Sequence, residues 1–405
     1  MGRMVASRNG AGPKHVLIAG GGVAALEAML ALQELAAGLL EVELVAPERD
    51  FVYRPLAVAE PFGLGSMRRF DLAALVDGAG AKLRTDAVTA VDADSRRVRT
   101  RRGDEIAYDV LILALGARPR EAIPGALTFW GGGDRGPILR LLEEIEGGAA
   151  MEVVFALPGG LGWPLPLYEL ALMTAARAAG EPGGAPRLTI ATPESSPLEL
   201  FGTHASATVR ALLEARGIGL CCGCYPSEVD SDGLLVIPGG HLSADRVVTV
   251  PRLDGPYLAG IPHDEDGFIP TDGYGRVKGL EHADVYAAGD LIAFPVKQGG
   301  LAAQQADAAA QRIAADAGAS IEPAPFRPVL RGLLLTGGEP SYLRAEITGG
   351  RGETSVADSQ PLWWPPDKIA GRYLAPYLAL TSKTDLEAKP PSRSEPLAIE
   401  VELPG

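Results

Sequence analysis

The chain has 405 residues, 47% hydrophobic and 22% charged, with 51 glycines and 33 prolines. That balance excludes disorder over most of its length, and glycine without a three-residue period excludes a collagen-like rod. Lys and Arg number 37 against 51 Asp and Glu, a net charge of -14, which argues against nucleic acid as a partner because a phosphate backbone needs a basic footprint.

At about 150 residues per domain the length suggests two to three domains, large enough to need no disulfide framework or structural metal. Residues 1–13 read as a flexible leader, without the apolar core of a signal peptide. Ala6 breaks the myristoylation pattern. No apolar run reaches the length of a membrane span. The three cysteines all lie within residues 221–224, so a secreted disulfide scaffold is not expected and a cytoplasmic location is.

The first apolar run, His15 to Ala19, reads as a strand buried on both faces. It ends in Gly20-Gly21-Gly22 and is followed by helix formers from Val23 to Ala37. Val42 to Ala46 is a second strand, so the glycines sit at a strand-to-helix turn. Asp109 to Ala114 is another strand and runs into Gly116. A second strand–glycine–helix unit follows: Glu152 to Leu157, then Pro158-Gly159-Gly160, then a helix from Leu167 to Ala179. Leu188 to Thr192 and Asp284 to Ala288 complete the apolar strands, and Leu301 to Ala315 reads as a long Ala- and Gln-rich helix. Strands alternating with helices imply parallel sheets.

The boundaries expected from this pattern are a first nucleotide-binding part at 14–125, a second nucleotide-binding domain at 126–253, a return to the first at 254–322, and a C-terminal segment at 323–405. The crossings near Ile123-Pro124-Gly125 and Pro251 to Pro262 read as loop-rich. The apolar stretch Ile369 to Leu380 is short and interrupted by Pro376. It reads as packing onto the body, with peripheral membrane contact as the alternative. The end of the chain, from about Lys389, reads as loose.

Gly20-x-Gly22-x-x-Ala25 has the chemistry of a dinucleotide site. Gly20 permits the tight turn, Gly22 lets a pyrophosphate approach, and small Ala25 lets helix and strand pack closely. The helix N-terminus then offers free amides to the phosphates. Glu48, just past the second strand, is the candidate for the ribose hydroxyls. Asp290 at a strand end can bind a polyol chain, with a helix cap as the plain alternative. Lys297 and Gln298 precede the long helix, whose N-terminal dipole and the lysine charge would stabilise an anionic ring.

Together these segments resemble the pyridine nucleotide–disulfide oxidoreductases, flavoproteins of two dinucleotide-binding domains. The pieces that carry the resemblance are Gly20-Gly21-Gly22-Val-Ala-Ala-Leu-Glu27, Tyr108-Asp109 through Ala114-Leu115-Gly116-Ala117, and Val285 to Asp290. Within that family the chain looks most like the branch of sulfide:quinone oxidoreductases and type II NADH dehydrogenases. The resemblance implies an α/β fold of two Rossmann-like, glutathione-reductase-type domains with a small C-terminal segment. It implies FAD as cofactor, NAD(P)H as co-substrate, and a quinone or small electron carrier as acceptor. It assigns Gly20, Gly22, Ala25, Glu48, Gly116 and Asp290 to FAD, with Arg54, Lys297 and Gln298 near the flavin ring. Lys297 and Glu169 are the catalytic candidates, Glu169 standing where relatives hold a glutamate near the nicotinamide pocket. Quinone-using relatives rest on the bilayer through apolar C-terminal segments.

Three departures bear on the chemistry. No cysteine lies at 46–65, where disulfide reductases carry a redox pair, and none follows the strand ending at Leu157, where sulfide oxidoreductases carry one. The second glycine turn, with Gly160 and Gly162, continues into Trp163-Pro164, so NAD(P) binding there stands beside a merely structural turn. Cys221, Cys222 and Cys224 read as buried or half-buried strand residues, with soft-metal binding or oxidation as alternatives. The five histidines are scattered without metal-ligand spacing, so no metal site is expected. The alternatives to a nucleotide-driven dehydrogenase are a sulfide:quinone-type oxidoreductase and a non-catalytic FAD-binding redox sensor.

Overall fold

A computed structural model of the chain describes residues 12–132, 135–160, 162–179, 184–348 and 351–381. The expected leader lies outside these residues up to position 11, as do Leu161 of the second glycine turn and the tail expected to be loose.

Two five-stranded parallel sheets organise the fold. The first runs Val285–Ala287, Val110–Leu113, Lys14–Ala19, Leu40–Ala46, Lys82–Thr85. Its central strands are apolar throughout because both faces are covered: Val16 to Ala19 and Leu111 to Leu113 are fully buried. One face carries the helices Val23–Leu35 and Gly299–Asp316, which pack on each other through alanines. The second sheet runs Leu127–Thr128, Arg246–Thr249, Glu152–Ala156, Arg187–Thr192, Gly219–Cys222. This is an α/β fold of two Rossmann-like units, and each changes strand order beside the strand that feeds its glycine turn, where open α/β sheets form a crevice.

The crossings between the two units are more ordered than a loop-rich reading suggests. Arg118–Arg120 pairs antiparallel with Arg252–Asp254, and Arg120 Nε donates to Asp254 at 2.7 Å. Outgoing and returning chain therefore form one ribbon, a long-range pairing that glycines and prolines in the sequence conceal.

The C-terminal segment is a three-stranded antiparallel sheet, Val329–Leu334, Ser341–Thr348 and Arg351–Asp358, laid over the helix Gly202–Ala215. Phe201 packs beneath it: a Cβ added to Gly332 would come within 2.6 Å of the Phe201 ring. Residues 363–373 then return as a strap to the first unit and enter the helix Leu374–Thr381. Pro376 does not interrupt that helix. It falls in the first turn, where its missing N–H has no helical acceptor to lose. Leu374, Ala375 and Leu378 are buried against the first core, so the packing reading holds, while Leu380 is 79% exposed. No helix among the described residues is long and apolar enough to cross a membrane.

Candidate functional site

The carboxyl edge of the first sheet gathers six of the residues expected from the sequence. Gly20 has φ +128°, and a Cβ there would lie 2.2 Å from the Ala114 carbonyl oxygen, so only glycine fits between the two central strands. Gly22 is the N-cap of Val23–Leu35 and carries no side-chain cap. A Cβ on it would meet nothing within 4 Å, leaving open space before the helix amides. Ala25 is fully buried under the turn. Glu48 is exposed at the end of the second strand, its Oε2 3.7 Å from where a Cβ on Gly21 would sit. Gly116, φ +69°, follows the neighbouring strand with open space around it.

Asp290 closes this edge from the far strand. Gly289, φ +95°, turns the chain close to Ala24 and donates its N–H to Gln305 Oε1 at 2.8 Å. The Asp290 carboxylate accepts no hydrogen bond among the described residues. Burial pushes its pKa up, and the charge of Lys297 opposes that. A glycine cradle, an uncapped helix end, an exposed acid at the second strand and a half-buried carboxylate without a hydrogen bond among the described residues together fit the diphosphate, ribose and polyol of FAD.

Between the two units lies a cavity of about 200 Å³, lined by Arg54, Val58, Trp163, Glu169, Lys297, Gln298, Arg331, Lys368 and Ile369, among others. Gln298 caps the helix Gly299–Asp316: its Oε1 accepts from the Leu301 N–H at 2.9 Å and its Nε2 donates to the Arg331 carbonyl at 3.0 Å. Lys297 Nζ donates to the Ile292 carbonyl and sits 3.7 Å from the centre of the Phe268 ring. Burial lowers its pKa to about 8 against the opposing pull of Asp290.

Glu169 is fully buried. Its carboxylate takes Lys368 Nζ at 2.6 and 2.7 Å and the Leu335 N–H at 2.9 Å. Burial raises its pKa, and Lys368 opposes this. Lys368 is the residue that sequence reasoning missed. It sits on the strap, which also bonds Asp367 to Arg68 at 3.3 Å and the Ile369 N–H to the Tyr53 hydroxyl at 3.0 Å. Farther along, Glu27 accepts from the N–H groups of Tyr373 and Leu374, both at 2.8 Å.

The second glycine turn is built differently from the first. Lys297 N–H donates to the Gly162 carbonyl at 3.2 Å, and a Cβ on Gly162 would meet Lys297 Cγ at 2.7 Å. Gly162 therefore has a packing reason of its own, against Lys297. Trp163 rests on Phe201 at 5.8 Å, and Pro166 removes one amide from the first turn of Leu165–Ala178. Gly160, φ +71°, has open space around it. Glu194, two residues past the strand Arg187–Thr192, stands where an acid would meet a second nucleotide's ribose. It accepts from the Tyr168 hydroxyl at 2.5 Å and the Thr192 hydroxyl at 2.9 Å, and burial raises its pKa to about 7. An acid just past the apolar strand Leu188 to Thr192 was the available signal.

Cys221 and Cys222 are half-buried on the strand Gly219–Cys222 and Cys224 is buried just past it, and of the expected alternatives oxidation is seen: Cys221 is disulfide-bonded to Cys224, and Cys222 is free.

Residues 14–140 match the family of pyridine nucleotide-disulphide oxidoreductases. An NADH dehydrogenase-like protein of Mycobacterium tuberculosis is 28% identical over 296 residues, covering 69% of this chain and 73% of that protein. The sulfide:quinone oxidoreductase of Aquifex aeolicus superposes with a TM-score of 0.74 at 20% identity, covering 85% of this chain and 86% of that one. A ferredoxin reductase of Rhodopseudomonas palustris superposes at 0.60 with 19% identity, covering 83% of each chain. The matched residues 14–140 hold the glycine turn that opens a site fitting FAD, so this part of the chain is similar to the pyridine nucleotide-disulphide oxidoreductase family.

Proposed function

We propose that the chain takes two electrons from a reduced nicotinamide nucleotide and passes them, through FAD, to a quinone or a small electron carrier. The observation that carries this reading is the cavity between the two units, with Lys297 and Gln298 on one side and the buried Glu169–Lys368 pair on the other. FAD supplies the hydride-accepting ring and the capacity to release electrons again.

The protein's part is binding, charge and protons. Gly20, Gly22, Ala25 and Gly116 hold the diphosphate end, Glu48 the ribose and Asp290 the polyol. Lys297 and the helix it precedes set positive potential at the ring end of the site, and Arg54 adds a second cation at the cavity wall. Glu169, buried and with its pKa raised against the opposing charge of Lys368, is the group placed to hold a proton at the cavity wall. Gly160 and Glu194 are the nucleotide's contacts, and an acid at that position favours a free ribose hydroxyl over a 2′-phosphate, hence NADH over NADPH. The same reading has the chain working in the cytoplasm, with at most peripheral contact with a membrane.

Gly162 packed on Lys297 favours a second reading, a small non-nucleotide reductant as donor. No cysteine lines the cavity among the described residues, so a persulfide route has no nucleophile there. Anaerobic addition of NADH, then NADPH, to the purified flavoprotein separates the readings. Bleaching of the visible flavin bands, faster with NADH, supports the nucleotide donor, and an unchanged spectrum with both refutes it. Quinones and ferredoxin-type carriers are then tested as oxidants of the bleached protein.

A further inference from the structure

The Cys221–Cys224 disulfide sits outside the cavity, at the carboxyl end of the edge strand Gly219–Cys222. Gly223, φ +69°, reverses the chain so that the two Cα atoms stand 6.2 Å apart. The turn is already fixed without the sulfur bond. Cys221 and Cys222 are in register with Ala191 and Thr192. The Cys224 N–H donates to the Thr192 carbonyl and the Gly223 N–H to the Glu194 carbonyl, both at 3.0 Å. A crosslink that closes so short a loop removes little entropy from the unfolded chain, so stability does not account for it.

The two sulfurs differ in access. Cys221 is half-buried on the sheet edge and Cys224 is 3% exposed. The third thiol, Cys222, is half-buried, and burial raises its pKa while Arg210, which hydrogen-bonds it, acts the other way. Kept neutral, Cys222 does not compete for the bond, since the thiolate is the form that attacks. Arg210 also lines, with Ser196, Ser206 and Glu214, an open cleft of about 300 Å³, which gives the sheet edge an approach for a partner.

We propose that Cys221 and Cys224 form a reversible dithiol–disulfide centre that exchanges with dithiol reductants, separate from the flavin site. The thiolate of the incoming dithiol attacks Cys221 Sγ, forming a mixed disulfide as the Cys221–Cys224 bond breaks. Cys224 leaves as a thiolate and takes a proton. The second thiol of the reductant, deprotonated, then attacks its own sulfur in the mixed disulfide and frees Cys221, which is protonated in turn. Two electrons pass to the protein and the dithiol ends as a cyclic disulfide.

The test uses the native flavoprotein equilibrated with mixtures of reduced and oxidised dithiothreitol, quenched in acid, alkylated and mapped by mass spectrometry. The centre predicts one labelled cysteine, Cys222, at the oxidised end and three at the reduced end. Cys221 and Cys224 change together on one two-electron curve, with circular dichroism unchanged. A pair that opens only in denaturant overturns the proposal, as does labelling of all three without reductant. Cys222→Ser leaves the curve in place, and a curve lost with that variant overturns the assignment to 221 and 224. Cys224→Ser traps a mixed disulfide of Cys221 with thionitrobenzoate from Ellman's reagent, whereas Cys221→Ser leaves Cys224 unreacted. The reverse pattern overturns the order of attack.

Discussion

Lys368 and Glu169 stand 199 positions apart in the chain and share two hydrogen bonds of 2.6 and 2.7 Å inside the protein, with side chains 7% and 0% exposed. Removing the lysine leaves the carboxylate buried without its counter-charge. Lys368→Met is expected to destabilise the fold by about 3–5 kcal/mol, whereas Lys368→Met with Glu169→Gln recovers most of it. Urea unfolding of both variants checks this. A single variant as stable as the native chain would remove the pair from the list of what holds the strap.

Lys297 titrates near pH 8 because burial disfavours its charge. Its positive charge is present below that pH and lost above it. On the proposed function, flavin reduction by NADH falls as pH rises through about 8, and Lys297→Gln flattens the profile at the lower, alkaline level, about tenfold below native at neutral pH. Stopped-flow reduction between pH 6 and 9.5 reads both. An unchanged slope in the variant would assign the titration to another group.

Asp307 faces Glu27 in the packing of the two long helices of the first unit. Burial first, then the charge of Glu27, push its pKa from 3.8 to about 9, with Arg372 opposing. A carboxyl whose folded pKa is raised stabilises below its unfolded pKa, and that stability is lost as pH rises through the folded value. Stability is therefore expected to decline from about pH 4 up to about pH 9. Asp307→Asn keeps a neutral polar partner for Glu27 and is expected to be more stable than native at pH 9, by at least about 1–3 kcal/mol, with little difference at or below about pH 4. Thermal melts at the two pH values decide it.

Gly20→Ala places a methyl 2.2 Å from the Ala114 carbonyl in a backbone with φ +128°. The strands must part, so FAD affinity is expected to fall at least about tenfold, about 1.4 kcal/mol. Gly22→Ala, whose methyl meets nothing within 4 Å in the protein, is expected to keep the fold and lose affinity only through the diphosphate. Flavin retention on gel filtration, beside circular dichroism, distinguishes the two.

The parallel strands and both glycine turns were legible because burial on two faces writes itself as short apolar runs, and Gly20, Gly22 and Asp290 follow such runs directly. Lys368 was not legible. One lysine after Trp363-Trp364-Pro365-Pro366 has no local pattern, and its partner is fixed only when the strap closes over the second unit. Likewise Arg118–Arg120 and Arg252–Asp254 are too short for periodicity, and they become strands only by meeting each other. Pro376 misled for the opposite reason. A helix boundary placed a few residues away turns a breaker into an acceptable first-turn residue.

The strand Val285–Ala287 completes the first sheet against Val110–Leu113 only after the whole second sheet has been made. During synthesis the ribosome therefore delivers the glycine turn early and Asp290 late. The second sheet, contiguous in sequence, is free to fold in between. Until Val285–Ala287 docks, the nascent first unit leaves one edge of Val110–Leu113 unpaired, an open strand edge that can pair with other chains. On the proposed function, the acid that meets the polyol of FAD is thus made long after the glycines that meet its diphosphate.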